Sequence, residues 1–195
     1  MTRKVAAFDF DGTLSTRDTF VPFLRMVAGP GAFLVAVLRS LPHLLVAAVR
    51  DRSRDTAKAA MLRCVFAGRD EASVRAIGER HAADVVATQL RPEMHSKLGW
   101  HRQQGHEIVI ISASPAIYLD AVGRTLGVHA VLSTRLAVDD DGRLTGEIDG
   151  RNVRRDAKVR RLDAWLARDD AEIWAYGDST GDRELLARAD HPTRV

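Results

Sequence analysis

Three short apolar runs, each breaking off into small, acidic or hydroxylated residues, restrict what this chain can fold into more than any other feature. They are "VAAF" at residues 5–8, "EIVIIS" at 107–112 and "EIWAYGDS" at 172–179. Within them polar and apolar residues do not alternate, so each reads as a strand covered on both faces, the pattern of a parallel sheet. The second and third are followed by apolar residues at helical spacing: Ile117, Ala121, Val122 and Leu126, then Leu185, Leu186 and Ala189. Strands alternating with helices predict a doubly wound, Rossmann-like α/β sheet, whose sites lie at the carboxyl ends of the strands. The polar residues that end the three runs should therefore meet along one edge.

Between the first two runs lie about ninety residues with helical but no strand periodicity. Residues 19–28, 31–50, 55–66 and 70–90 read as helices, punctuated by "GPG", Pro42 and "AGRD". This predicts an all-helical cap, residues 17–90, inserted into an α/β core made of residues 1–16 and 91–195. "RPEMHSKLGWHRQQG" reads as the core helix that leads to the second strand, and "DDDG" at 139–142, between alternating residues, as a hairpin turn.

Composition excludes several classes. The 29 basic residues are scattered among 26 acidic ones, which predicts no nucleic-acid partner. The single cysteine, Cys64, excludes an intrachain disulfide or a CxxC zinc site and reads as a small apolar filler. No signal-peptide core precedes Asp9, so a cytoplasmic protein is expected. Residues 31–49 approach spanning length, but Arg39, Pro42 and His43 at their centre predict a buried or interfacial helix pair and no membrane span. The seven histidines show no ligand spacing, and Trp100, Trp165 and Trp174 are expected to pack on apolar faces.

The strand ends carry the chemistry. Asp9 and Asp11 follow the first run, and Gly12 lets the chain turn between them and the next element. Asp178 and Asp182 stand in the glycine-containing turn after the third run. Several aspartates with no His or Cys nearby suit a hard ion such as Mg²⁺. Ser112 at the second strand tip is placed to hydrogen-bond an anion, while "SP" at 114–115 reads as an N-cap followed by the first residue of a helix. Asp156 reads as the cap of a helix lined by Val159, Leu162 and Leu166. Lys158, one of only four lysines, sits in its first turn, where the helix dipole disfavours a cation.

"FDFDGTL", "IISAS", Lys158 and "GDSTGD", in that order, resemble the four motifs of the haloacid dehalogenase superfamily of phosphatases. The insertion after the first motif resembles the cap of the phosphoserine-phosphatase-like branch, and "SASP", "LGV" and "DGRLTGEIDG" resemble its subfamily IB hydrolases. The resemblance implies Asp9 as the nucleophile forming an aspartyl-phosphate and Asp11 as general acid, then base. It implies Mg²⁺ held by Asp9, the Asp11 backbone carbonyl and Asp178, with Asp182 in support. Ser112, Lys158 and the backbone N–H groups of Gly12 and Ala113 would bind the phosphoryl group. Asp18 and Lys58 fall near the positions where such enzymes hold a substrate's amino group and carboxylate.

Three departures stand out. Gly181 replaces an asparagine, Arg155 replaces a glycine before the motif lysine, and a further strand and helix are expected where the chain reads "HPTRV", leaving a shortened end or an open sheet edge. The expected activity is hydrolysis of a small phosphorylated metabolite, phosphoserine-like molecules included, or transfer of its phosphoryl group to an alcohol. The other reading is a catalytically weak binding or regulatory protein whose apolar cap engages a partner or a lipid-like phosphate.

Overall fold

A computed structural model describes residues 2–49, 54–167 and 170–195, and all of their side chains except those of 43–49 and 54. Arg50, the end of the helix predicted over 31–50, lies outside the described residues. The elements run β1 (Arg3–Phe8), α1 (Phe20–Ala28), α2 (Pro30–Val49), α3 (Arg54–Phe66), α4 (Glu71–Thr88), α5 (Pro92–Gln103) and β2 (Glu107–Pro115). Then follow α6 (Ala116–Leu126), β3 (Ala130–Val138), β4 (Leu144–Asp149), α7 (Asp156–Leu166), β5 (Ala171–Gly177), α8 (Arg183–Arg188) and β6 (His191–Arg194).

The sheet order is β4-β3-β2-β1-β5-β6. β1 lies between β2 and β5, parallel to both, with Ala7 opposite Val109 on one side and Ala175 on the other. The two-sided burial read from sequence is borne out. Ala6, Phe8, Ile108 and Ile110 face the cluster made with α5, α6 and the helices between β1 and β2, whereas Val5, Ala7, Val109 and Ile111 face Leu162, Leu166 and Leu185 of α7 and α8. Val5, Ala6, Ala7 and Phe8 are fully buried, and burying a side chain such as Val5 or Phe8 contributes about 1.5–3 kcal/mol. The β3–β4 hairpin forms as expected, with Leu136 opposite Ile148.

The helices α1 to α4 occupy the predicted interval. Asp70 caps α4 by accepting from the Ser73 N–H at 2.8 Å. Their apolar residues join those of the sheet in one cluster, in which Phe23, Phe66 and Val85 meet Phe8 and Tyr118. α4 lies so close to α6 that a Cβ on Gly78 would stand 2.6 Å from the Ile117 carbonyl oxygen, so only glycine fits there.

Several expectations need correction. Pro42 does not punctuate the helices; it lies inside α2, at an exposed position. "HPTR" is not a bare end but a sixth strand, parallel to β5, with Pro192 opposite Ala175. Its polar, proline-containing sequence hides a strand because only an edge position tolerates the missing donor. Cys64 is exposed, and Trp100 is exposed with the Lys97 ammonium 5.3 Å from its ring centre.

Three histidines, by contrast, are buried: His81, His101 and His106. His101 Nδ1 lies 2.8 Å from His106 Nδ1, and His101 Nε2 lies 2.8 Å from the Tyr176 hydroxyl. Burial, then His106 and Lys97, lower His101 from its ordinary 6.5 to about 4. The unfolded chain thus binds a proton that the folded chain refuses, and stability falls as pH drops from about 6.5 towards 4. We expect acidification across that window to remove about 2–3 kcal/mol through this residue. Urea unfolding at pH 7 and 4.5 should show a smaller difference in His101→Gln than in the parent chain; equal differences would contradict a neutral His101.

Candidate active site

The site grows from the way β1 ends. The Asp9 N–H still bonds to the Tyr176 carbonyl at 2.9 Å, as a ladder residue would. The chain then closes one wide turn in which the Ser15 N–H reaches the Phe10 carbonyl at 2.9 Å. Gly12 makes that turn possible, with φ +82° and no room for a side chain. A Cβ there would stand 2.5 Å from Asp178 Oδ2. The turn sends the two aspartates of "FDFDGTL" different ways.

Asp9 points to the ends of β5 and α7. The Lys158 ammonium donates to Asp9 Oδ1 and Asp182 Oδ1, both at 2.5 Å, and all three side chains are nearly inaccessible. Asp182 Oδ2 also accepts from the Ser179 N–H at 3.0 Å and hydroxyl at 2.7 Å, which fixes the turn after β5. Thr13 Oγ1 bridges the other side, 3.3 Å from Asp178 Oδ1 and 3.5 Å from Asp9 Oδ2, with one proton to share between them. Carboxylate oxygens of Asp9, Asp178 and Asp182 all lie within 4.8 Å of one another.

The electrostatics follow from this crowding. Burial raises the Asp9 carboxyl to about 7; Lys158 opposes the rise, while Asp182 and Asp11 add to it. Burial and the Asp182 charge likewise raise Asp178. Burial alone would lower Lys158, but Asp9 and Asp182 outweigh it and hold the ammonium above its ordinary range. With all three carboxylates ionised against one ammonium the cluster would carry two negative charges, which one divalent cation would cancel. The donor set is oxygen only, as a hard ion requires.

Asp11 turns the other way, towards α1 and α6. Its Oδ1 accepts from the Thr19 N–H at 2.7 Å and the Thr19 hydroxyl at 2.6 Å, and its Oδ2 from the Ser114 hydroxyl at 2.5 Å. Thr19 thereby uses its one hydroxyl proton, so the Tyr118 hydroxyl, 2.9 Å away, donates to Thr19. Burial, with the Asp11 charge, keeps that phenol well above its usual range and so a donor. His81 Nε2 completes the shell at 2.9 Å from the Thr19 carbonyl. Ser114 is therefore a partner of Asp11 and not a helix cap, because β2 runs on to Pro115 and α6 begins at Ala116.

A cavity of about 220 Å³ opens between these groups, with Asp9, Asp11, Ser112, Ala113, Lys158 and Asp182 in its wall. Asp18 and Lys58 reach the same cavity. Both are already engaged: Asp18 accepts from the Val21 N–H at 2.9 Å, and the Lys58 ammonium donates to Asn152 Oδ1 at 2.6 Å and to the Ala113 carbonyl. Burial lowers Lys58 to about 8. Gly12 and Asp178 do not line the cavity, and the Gly12 N–H has Ser15 Oγ at 3.4 Å. Ser112 Oγ accepts from the Ser114 N–H at 3.0 Å, leaving its proton for a bound group.

Two of the three departures are now explained. Arg155 keeps the glycine-like conformation, with φ 54° and ψ −126°, and its N–H bonds to the Gly181 carbonyl at 2.9 Å. Such a conformation costs a non-glycine residue on the order of 1–3 kcal/mol. Arg155, not Asp156, precedes α7, so Asp156 is its first residue and makes no cap. A Cβ on Gly181 would stand 3.2 Å from Ser179 Oγ and 3.4 Å from Arg154, so the position is too crowded for a larger residue without a shift of these neighbours. Thr13, Thr19, Tyr118, His81, Asn152 and Arg154 are neighbours the sequence did not mark, and Ser114 was expected as a helix cap. The one signal for Asn152 and Arg154 was "RNVRR", ending three residues ahead of Lys158.

Fold and site together define an α/β protein with a lysine-bridged carboxylate cluster at the carboxyl edge of its parallel strands. The chain belongs to the haloacid dehalogenase-like hydrolases, whose family model matches residues 6–187. Among curated relatives it is 39% identical over 186 residues to Protein CicA of Caulobacter vibrioides, covering 95% of this chain and 83% of that one. It is 26% identical over 202 residues to a protein of Mycobacterium tuberculosis described as a probable phosphatase, covering 99% and 69%. Among solved structures, a Bordetella pertussis protein of unknown function shares 26% identity at a TM-score of 0.83, covering 96% and 87%. A phosphoserine phosphatase in its apo form shares the fold at a TM-score of 0.67 and 18% identity, covering 96% and 84%.

Proposed function

We propose that the protein is a Mg²⁺-dependent phosphomonoester hydrolase working through an aspartyl-phosphate on Asp9. One observation carries this reading: Asp9, Asp11, Ser112, Lys158 and Asp182, from four separate chain segments, line a single cavity at the ends of adjacent strands. A divalent cation held by Asp9, Asp178 and the Asp11 carbonyl, with Asp182 in support, would neutralise the site and the incoming phosphoryl oxygens. An Asp9 carboxylate oxygen attacks phosphorus while the bond to the leaving oxygen breaks, and Asp11 gives that oxygen its proton. Asp11 then takes a proton from water, which attacks the same phosphorus and releases Asp9 and inorganic phosphate.

Phosphoryl transfer needs positioning and charge neutralisation above all. Lys158 has three donors and directs two to Asp9 and Asp182, so the third is available to a phosphoryl oxygen. The Ser112 hydroxyl and the Ala113 N–H supply the rest; the Gly12 N–H, expected to join them, lies off the cavity with Ser15 Oγ at 3.4 Å. Helices in the interval 17–90 act as the cap, closing the cavity with Asp18, Phe20, Asp55 and Lys58. A chamber of about 220 Å³ suits a small phosphorylated metabolite, with Asp18, Lys58 and Arg154 as the groups that would choose it. Purified protein should hydrolyse p-nitrophenyl phosphate with Mg²⁺, lose activity in EDTA and regain it when Mg²⁺ is restored. No turnover across a broad panel of phosphomonoesters with Mg²⁺ would defeat the proposal.

A further inference from the structure

The α1–α2 hairpin leaves an apolar face uncovered. α1 buries Phe23, Leu24 and Val27 in the core, yet presents Val21 and Met26 outward. α2 presents Leu34, Leu38 and Leu41 at i, i+4 and i+7, with Leu34 59% and Leu38 58% exposed. Between the two helices runs a groove lined by Val21, Pro22, Met26, Pro30 and Phe33, with Arg25 as its charged member. Neighbouring leucines on one stripe, with a groove beside them, make a contiguous patch of the kind that marks an interaction surface.

Charge decides what the patch fits. From residue 19 to residue 50 the sequence contains no Asp or Glu, while Arg25 and Arg39 stand exposed among the apolar side chains. A second copy docking across a twofold axis would set this cationic face against itself, with no carboxylate in the hairpin to pair with. An apolar stripe whose own charged side chains are all cations, with Asp18 at its N-terminal edge bonded to the Val21 N–H, is instead complementary to an anionic bilayer surface, where hydrocarbon receives the leucines and phosphates receive the arginines. Spanning is not implied. Among the described residues no single helix is long and apolar enough to cross, and α1 with the first part of α2 meets the length and composition test only as a pair bent by 119°.

We infer that the outer face of the α1–α2 hairpin docks on anionic membrane surfaces. The placement gives docking a consequence. Phe20 lines the catalytic cavity and Val21, the next residue, lines the groove, so a bilayer on this face would lie beside the cavity mouth.

Flotation of the full chain with vesicles tests this without relying on catalysis. The protein should float with phosphatidylcholine vesicles containing phosphatidylglycerol, less with phosphatidylcholine alone, and less as salt is raised. Leu34→Asp with Leu38→Asp should reduce the bound fraction about tenfold, and Arg25→Glu with Arg39→Glu severalfold. These side chains are solvent-exposed, so melting temperatures should match the parent; if the leucine variant melts lower, the arginine variant carries the test alone. Absence of flotation at low salt, equal binding to neutral vesicles, or binding unaffected by the arginine change would overturn the inference. So would a chain that dimerises through this face, the leucine variant being monomeric, and binds no vesicle.

Discussion

Asp9→Asn should reduce phosphomonoester hydrolysis at least about 10⁴-fold, roughly 5 kcal/mol of transition-state stabilisation, without unfolding the protein. The amide keeps the shape of the carboxylate but cannot attack phosphorus. Retained folding follows from the site itself. Burial raises Asp9 to about 7 even with the Lys158 ammonium at 2.5 Å, so on balance its surroundings disfavour the charge. A neutral isostere gives up one contact with Lys158 and relieves the crowding with Asp182, which still holds that lysine at 2.5 Å. The melting temperature should therefore be unchanged or higher while turnover vanishes. Steady-state assay of p-nitrophenyl phosphate beside a thermal melt checks both halves. Full activity in the variant would eliminate covalent catalysis by Asp9.

How much of this was legible beforehand differs between the centre of the fold and its margins. β1, β2 and β5 announce themselves because a strand buried on both faces has no freedom to carry polar residues until it reaches the sheet edge. The change at Asp9, Ser112 and Asp178 is therefore as visible in sequence as in space. β6 was not legible: an edge strand draws on backbone partners from Tyr176 and its neighbours, and its own side chains, Pro192 included, are unconstrained. The Asp11 surroundings were hidden for another reason. Thr19, His81, Ser114 and Tyr118 come from three helices or their starts and one strand end, and nothing local in their sequence marks them as partners. Ser114 and Pro115 carry an ordinary cap-and-helix signal, which β2 overrides by running three residues past Ser112. Arg155 is the opposite case: substitution of a side chain where the backbone wants glycine was visible as a departure, and the positive φ shows that backbone geometry prevailed over residue preference.

Asp11→Asn should separate the two chemical steps. General acid–base catalysis by one side chain contributes about 10²–10⁴-fold, and Asp11 serves twice, first protonating the leaving oxygen and then deprotonating water. Geometry is expected to survive. An asparagine oxygen can keep the two bonds from Thr19, and its amide can donate to Ser114 Oγ, which need only reverse its role as donor. The leaving group then decides which step suffers. p-Nitrophenolate departs without a proton, so the first turnover should stay close to the parent rate while steady-state turnover falls by about 10²–10⁴-fold. Phosphorylated enzyme should then accumulate as a burst of p-nitrophenolate stoichiometric with protein. An alkyl phosphate, whose alkoxide needs the proton, should lose its first turnover as well and give no burst. Rapid-quench measurement of both substrates distinguishes these outcomes. An Asp11→Asn variant that turns over the alkyl ester at the parent rate would remove Asp11 from proton transfer and leave its three hydrogen bonds as a purely structural tie between β2 and the start of α1.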